Sequence, residues 1–197
     1  MDLTCYANLA VCLVNTAPEV GSEPDWLGDA DSFRAFAAAH PFLAGPCTHH
    51  DLDALRMLRD ELTAIFLAAA DRDSATAATR MNALLVQYPI RPTLVRHGRS
   101  RWHLHLDDSG SISDRFAAGA VTGLAMIVSQ LGVSHLGFCA MPGCRSAFAD
   151  ASPGRPSRHC TSHSASKANV TALPAMPRRR GPTDPGSSGY PASTAVG

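Results

Sequence analysis

This sequence is poor in charged residues, in aromatic residues and in long apolar runs. Charged side chains make up 17% of its 197 residues, aromatic ones 6% and apolar ones 45%. This balance excludes a largely disordered chain and favours one ordinary domain with a small additional module. The longest apolar stretch, residues 116–128, is interrupted by Thr122 and is too short to cross a bilayer. Because the start of the chain also lacks the pattern of a signal peptide, we expect a cytoplasmic protein without membrane contact.

Lysine is nearly absent: Lys167 is the one lysine, and all other basic residues are arginines. The overall charge of zero hides an asymmetry. Residues 1–138 carry ten arginines and fifteen acidic residues, for a net charge of −5, whereas residues 139–180 carry seven basic residues and one acidic residue, for a net charge of +6. The C-terminal part therefore favours an anionic partner, although some of its charge reflects the arginine-rich composition of the whole chain.

Three of the six cysteines form the clearest motif. Cys139 and Cys144 flank a Pro-Gly turn that can bring both sulfurs to one point, and Cys160 follows a turn-rich segment. Between the second and third cysteines, residues 147–150 and 157–159 predict a short hairpin, and residues 162–173 are compatible with a helix. A knuckle, a hairpin and a helix are the treble-clef arrangement of a structural zinc site. Such a site stabilises a segment that is too small to bury its own core.

The same segment resembles the CGNR zinc finger. Residues 148–152 match the F-x-D-x-S pattern of that family, residues 157–160 match S-R-x-C, and residues 168–172 resemble the helix that follows. In the family, this pattern implies a zinc ion and DNA binding.

The signature tetrad of that family is altered here. Alignment on the following helix places Ser164 at the position of the fourth cysteine. A serine hydroxyl is a poor zinc ligand at neutral pH, so we predict that the ligands are Cys139, Cys144, Cys160 and His163, which lies three residues after Cys160. The alternative is a degenerate site in which three cysteines remain and His163 is merely exposed.

Helices are predicted for most of the N-terminal part. The most secure one begins after Asp51, its proposed N-cap, because apolar residues recur at three- and four-residue steps. Its predicted buried stripe comprises Leu52, Leu55, Leu58, Leu62, Ile65, Phe66 and Ala69. Residues 33–39, capped by residues 31–32, and residues 74–87 form further helices. A long helix over residues 113–131 is expected to pack against the helix that Asp51 caps, and residues 5–16 are ambiguous between helix and strand.

Residues 93–95 and 102–106 alternate with period two and predict a β-hairpin. His103 and His105 share one face of it, and without a third ligand we favour a solvent-facing or partner-facing pair over a metal site.

The remaining cysteines suggest no second site. Cys5 and Cys12 are most simply small core residues. Cys47 stands beside His49 and His50, but the spacing is too short for a specific metal motif, and a polar loop before the next helix is the better interpretation.

The order of these elements resembles the ABATE domain that precedes CGNR fingers. The matching motifs are L-A-x-x-x-V-N-T at residues 9–16, L-x-x-L-R-x-L-R at residues 52–59 and W-x-L-x-L at residues 102–106. The expected fold is therefore α+β and mainly α: an ABATE-like domain over residues 1–132 with a small hairpin, and a treble-clef-like zinc module over residues 133–173. Residues 174–197 are rich in proline, glycine and serine and are predicted to be disordered.

The resemblance implies a bacterial transcription regulator with a sensing domain for a small molecule or a protein partner. The basic residues expected to contact DNA are Arg145, Arg155, Arg158, Lys167, Arg178, Arg179 and Arg180. Two alternatives stay open: a structural zinc module for protein contacts, including a homodimer, and a metal-dependent nuclease or hydrolase that uses His159 or His163 with Asn169. The enzyme is the weakest of the three, because the sequence has no glycine-rich phosphate loop, paired catalytic carboxylates or nucleophile elbow.

Overall fold

The computed structural model describes residues 3–18, 20, 25–38, 45–96, 98, 102–105 and 110–164. Within these ranges it contains five α-helices and four short strands, which confirms the mainly helical α+β class. In chain order the elements are α1 (Leu3–Val14), α2 (Ala30–Ala38), α3 (His49–Ala70), α4 (Ser74–Gln87), β1 (Thr93–Val95), β2 (His103–His105), α5 (Ile112–Leu131), a 3-10 turn (Val133–His135), β3 (Leu136–Phe138) and β4 (Ala147–Ala149).

The centre of the molecule is the contact between α1 and α5. The apolar N-terminal segment is a helix, not a strand. Helix α5 contacts α3, as predicted, and packs more extensively on α1, which was not predicted. Gly123 explains the close approach, because a Cβ atom there would overlap the backbone of Tyr6 and Ala7. By length and composition α5 could also cross a membrane, but 61% of its apolar window is buried inside the fold, as expected of a central helix.

Helix α3 supplies the opposite wall of the core. All seven residues of its predicted apolar stripe are buried, and Leu55, Leu62, Ile65 and Phe66 are fully so. The N-cap, however, is Thr48 and not Asp51. The Thr48 hydroxyl accepts a hydrogen bond from the Asp51 amide, and the Asp51 carboxylate accepts one from the Thr48 amide, which is a capping box. The helix therefore begins at His49, and Asp51 lies in its first turn.

Helix α2 likewise begins earlier than predicted. The carboxylate of Asp29 accepts a hydrogen bond from the amide of Ser32 at 2.7 Å, so that Asp29 takes the capping place assigned to residues 31–32. Helix α4 has the predicted bounds, and Tyr88 ends it with a non-helical backbone.

Two arginines of α3 hold the loop before α2. Arg59 pairs with Asp25 through its two terminal guanidinium nitrogens, at 2.6 and 3.2 Å, and also donates to the buried hydroxyl of Thr16. Arg56 donates to the carbonyls of Leu27 and Gly28. The motifs at residues 9–16 and 52–59 therefore meet in space and fix one loop between them.

The strands form two separate antiparallel pairs. Strand β1 pairs with β2, as predicted, with Leu94 opposite Leu104. Strand β4 pairs with β3, with Gly137 opposite Phe148. The prediction that residues 147–150 form a hairpin with residues 157–159 was wrong. The apolar segment 136–138 already lies against the helical core and offers β4 a buried partner, whereas residues 151–159 form bends.

Candidate metal centre

The first two cysteines lie in the connection between β3 and β4. Cys139 follows β3 directly, and its amide donates to the carbonyl of Ser146 at 2.9 Å. The chain then turns, and the amide of Cys144 donates to the carbonyl of Met141 at 3.0 Å. Gly143 has a φ of +79°, a conformation that residues with a side chain rarely adopt. This turn brings the sulfur of Cys144 back towards that of Cys139.

Asp150 organises the loop that returns to the knuckle. Its side chain is buried, with 2% of its surface exposed. One carboxylate oxygen accepts hydrogen bonds from the amide and hydroxyl of Ser152, and the other accepts from the amide of Ser157 at 2.7 Å. The loop then docks on the knuckle, because the amide of Ala140 donates to the carbonyl of Arg158 at 2.8 Å. Two residues later the chain reaches Cys160.

A tight turn after Cys160 positions His163. The amide of His163 donates to the carbonyl of Cys160 at 3.0 Å, and the imidazole Nδ1 lies 3.3 Å from the Cys160 sulfur and 3.5 Å from the Cys139 sulfur. Residues 161–163 form this turn. Most of the predicted helix over residues 162–173 lies outside the described residues.

The four predicted ligand atoms converge. The sulfurs of Cys139, Cys144 and Cys160 and one nitrogen of His163 all lie within 4.8 Å of one another, and the Cys144 and Cys160 sulfurs are 3.9 Å apart. In a tetrahedral zinc site, bonds of about 2.3 Å to sulfur and 2.1 Å to nitrogen separate the ligand atoms by roughly 3.6–3.8 Å. The donor set and its spacing are therefore consistent with one zinc ion, which would be held by thiolates and a neutral imidazole.

Two neighbours bear on the identity of the fourth ligand. His159 Nδ1 lies 4.0 Å from the Cys139 sulfur, farther than His163 Nδ1. Ser164, at the family's fourth cysteine position, is half-buried. Imidazole is the better zinc ligand, and the His163 ring is the one beside two of the sulfurs.

The thiols of Cys144 and Cys160 differ in pKa. Burial raises the pKa of Cys144, but hydrogen bonds from Ser146 and the neighbouring thiols outweigh it and lower that pKa to about 7. Burial and the neighbouring sulfurs raise the pKa of Cys160 to about 11. One negative charge thus forms easily in the cluster, and further ones repel it. A divalent cation would remove this repulsion, as zinc does when it binds deprotonated thiols.

The cluster is anchored to the helical body by side-chain hydrogen bonds. Asn15, directly after α1, accepts from the amide of Ala147 at 2.8 Å and donates to its carbonyl at 3.1 Å, so its side chain pairs with β4 as a strand would. Buried His135 contacts the carbonyl of Asp150 through Nδ1, and its own carbonyl accepts from the Asp150 amide. These anchors were not predicted. The asparagine of the V-N-T motif and the aspartate of F-x-D-x-S were the available signals, but their partners are distant in sequence.

The remaining candidate residues lie elsewhere. Cys12 is buried in the core as predicted, whereas Cys5 is exposed, so its assignment to the core was wrong. Cys47 is exposed before α3, and partial desolvation of its thiol together with the charge of Asp51 raises the pKa of that thiol. Among the described residues, Cys47, His49 and His50 belong to no cluster that could hold a metal.

The predicted basic residues divide into two groups. Arg145, Arg155 and Arg158 are exposed on the loops around the cluster. Lys167 and Arg178–Arg180 lie outside the described residues, as do Asn169 and the side chains of His103 and His105.

Comparison with known proteins adds a family to this geometry. No curated protein matches the chain significantly. The family model for ABATE, described as "Putative stress-induced transcription regulator", matches residues 7–130, which span α1 to nearly the end of α5. The Cys/His cluster that follows the matched region fits a CGNR zinc finger. Since the match covers more than half of the sequence, the chain belongs to the ABATE family.

Proposed function

We propose that this protein is a transcription regulator that binds DNA through a zinc-stabilised basic module, residues 133–173, and senses a ligand or a protein partner through the helical domain, residues 1–132. The observation that carries the proposal is the convergence of three sulfurs and an imidazole nitrogen in a segment with a net positive charge. The family description supports the regulatory role.

The module has the features of an electrostatic DNA contact. Arg145, Arg155 and Arg158 are exposed, and each can neutralise a phosphate. Asp150, the one acidic residue of residues 139–180, is buried and occupied by Ser152 and Ser157, so it does not offset the positive surface. This surface supplies affinity without sequence specificity, and that affinity is expected to fall steeply with salt.

The first experiment measures zinc in the purified full-length protein by mass spectrometry. We expect one zinc per chain in the parent. His163→Ala should weaken zinc affinity by more than about 100-fold, because a direct ligand matters at least as much as the residues that orient ligands. Ser164→Ala is the matched control and should keep the parent's affinity. Absence of zinc in the parent, or equal losses in both variants, would contradict the assigned ligand set.

The second experiment measures binding to a mixed-sequence 30-bp DNA duplex by fluorescence anisotropy at several salt concentrations. Arg155→Gln combined with Arg158→Gln should reduce the slope of log affinity against log salt by about 2, because each lost phosphate contact removes roughly one unit. The control, Arg34→Gln with Arg80→Gln, removes two exposed arginines of the helical domain and should leave the slope unchanged. A parent that binds no duplex at low salt would overturn DNA binding.

One observation favours a second role, a structural module for protein contacts. The β3–β4 pair packs into the helical core and is hydrogen-bonded by Asn15, so the module is part of the body rather than a separate arm. If the parent fails to bind DNA, self-association that is insensitive to salt, measured by sedimentation velocity, would support this role.

A further inference from the structure

The β1–β2 hairpin is a local basic region in an otherwise acidic domain. Residues 91–108 contain four arginines and two acidic residues, Asp107 and Asp108 at the end of this range, for a net charge of +2, although residues 1–138 as a whole carry a net charge of −5. Arg91 and Arg96 are exposed. Arg99 and Arg101 add charge in the sequence but lie outside the described residues.

One end of this hairpin carries an exposed aromatic residue beside an arginine. The register that pairs Val95 with His103 places Arg96 opposite Trp102 at the next position. The guanidinium carbon of Arg96 lies 5.7 Å from the centre of the Trp102 ring, a cation–π distance, and its Nε donates to the carbonyl of Gly98. Trp102 is nevertheless 64% exposed. Trp102 therefore contacts Arg96 through a cation–π interaction while most of its ring stays exposed to solvent.

The apolar surface extends along the same strand. Leu94, two residues before Arg96 and hence on the same face of β1, is 69% exposed. Within the described part of the chain, neither strand of the hairpin packs extensively against another element. The hairpin thus presents Leu94, Arg96 and Trp102 to a partner, and its charge selects an anionic one.

The acidic group that shares a cavity with Arg91 does not cancel this charge. A polar cavity of about 230 Å³ beside the hairpin is lined by Arg91, Asp114 and Arg115, among other residues. Asp114 is the N3 residue of the capping box of α5, where its carboxylate accepts from the amide of Ser111. Two arginines therefore face one carboxylate that is already engaged.

From these observations we infer that the β1–β2 hairpin is a second DNA-contacting surface, which enters a groove of the duplex as a two-stranded ribbon. The major groove of B-DNA admits such a ribbon. Arg91 and Arg96 would contact phosphates, while Leu94 and Trp102 would make apolar contacts inside the groove. The inference rests on the proposed function, since it adds a second contact to the one assigned to the zinc module.

The test uses the zinc-loaded full-length protein and the same 30-bp duplex. Arg91→Gln combined with Arg96→Gln should weaken binding by roughly tenfold or more at 100 mM salt and reduce the salt slope by about 2. Trp102→Ala should weaken binding and leave the slope unchanged, because an apolar contact releases no counterions. Arg34→Gln with Arg80→Gln is the charge-matched control, and unchanged zinc content and melting temperature show that each variant is folded.

The outcomes separate the two surfaces. If the hairpin pair matches the parent while Arg155→Gln with Arg158→Gln loses affinity, the hairpin inference is wrong and the zinc-module contact stands. The reverse pattern supports the hairpin and refutes the zinc module as the contact. If Trp102→Ala dissociates a dimer in sedimentation velocity without changing DNA affinity, the hairpin is a protein interface and the inference fails. If the parent protein binds no duplex, both proposed DNA contacts are wrong.

Discussion

Among single residues, Asp51 is a buried carboxylate that joins two helices. One of its oxygens accepts from the amide and hydroxyl of Thr48, at 3.0 and 2.6 Å, and the other accepts from the amide and hydroxyl of Ser113 at the start of α5, at 3.3 and 2.9 Å. Burial alone would raise the pKa of Asp51, but these hydrogen bonds outweigh it and hold the pKa well below its ordinary value of 3.8. The charged form is therefore the one that the fold stabilises.

Replacing this carboxylate tests its contribution. Asp51→Asn should reduce the free energy of unfolding by about 2 kcal/mol at pH 7, because charged hydrogen bonds are lost and an amide group faces donors. A lowered pKa in the folded state means that the parent's advantage is present above pH 3.8 and is lost as the pH falls from there towards the folded pKa. Urea unfolding at pH 7 and at pH 3 measures this difference.

The control for this measurement is Asp60→Asn, which changes an exposed carboxylate of the same helix. It should leave the stability difference between the two pH values close to the parent's. A difference between parent and Asp51→Asn that is equally large at both pH values would contradict the assigned role of the charge.

Among the elements, α1 and α5 depend on small residues where they cross. At Gly123 a Cβ atom would overlap main-chain atoms of α1, which cannot move without shifting the whole helix. At Gly119 it would lie 3.0 Å from Tyr6 Cδ1 and 3.2 Å from Leu9 Cδ1, both atoms of side chains that can rotate. The two glycines therefore differ in what a methyl group would displace.

Alanine substitutions should distinguish these two positions. Gly123→Ala is expected to lower the free energy of unfolding by about 3 kcal/mol or more, although alanine favours a helix over glycine by about 1 kcal/mol, because the helices must separate. Gly119→Ala is the matched comparison and should change stability by less than about 1 kcal/mol, since helix propensity offsets a small side-chain shift. Chemical denaturation measures both, and equal losses would contradict the packing argument.

The elements also show what the sequence could predict. The apolar stripe of α3 and the bounds of α4 follow from periodicity, which reports the face that a helix buries. Periodicity does not report the partner of that face, and for this reason the extensive contact of α5 with α1 was not predicted, although its contact with α3 was. The cap of α3 was misplaced by three residues because Thr48 and Asp51 both suit the position, and only the reciprocal hydrogen bonds distinguish them.

At the candidate metal site, too, local features were predicted from the sequence and long-range contacts were not. The spacing of Cys139, Cys144 and Cys160 and the turn to His163 are local properties, and the structure brings their ligand atoms together. The contact of Asn15 with Ala147 joins residues that are more than a hundred positions apart in the sequence. No sequence pattern specified this contact or the pairing of β4 with β3. The sequence therefore predicted the candidate ligands but not the way in which they are attached.

For the whole molecule, the C-terminal module belongs to two cores of very different size. Leu136, Ala147 and Ala149 are part of the large helical core, and the Phe138 ring lies 6.1 Å from that of Phe66. The second core holds Cys139, Phe148 and Cys160, with Cys144 packed against them. Three buried side chains contribute little against the conformational entropy of the surrounding loops, so a metal held by this cluster would stabilise them, whereas β3 and β4 are also stabilised by the helices.

Removal of the metal should therefore loosen the protein locally. After treatment with a chelator, amide hydrogen exchange should become at least about tenfold faster in residues 139–146 and 150–160, because their order depends on the small core, while amides of α3 and α5 keep the parent's protection. Asn15 should limit the loss in β4, since it binds both backbone groups of Ala147 from the helical side. Faster exchange throughout α5 would mean that the metal supports the entire fold, and unchanged exchange around Cys144 would mean that the loops hold their shape without it.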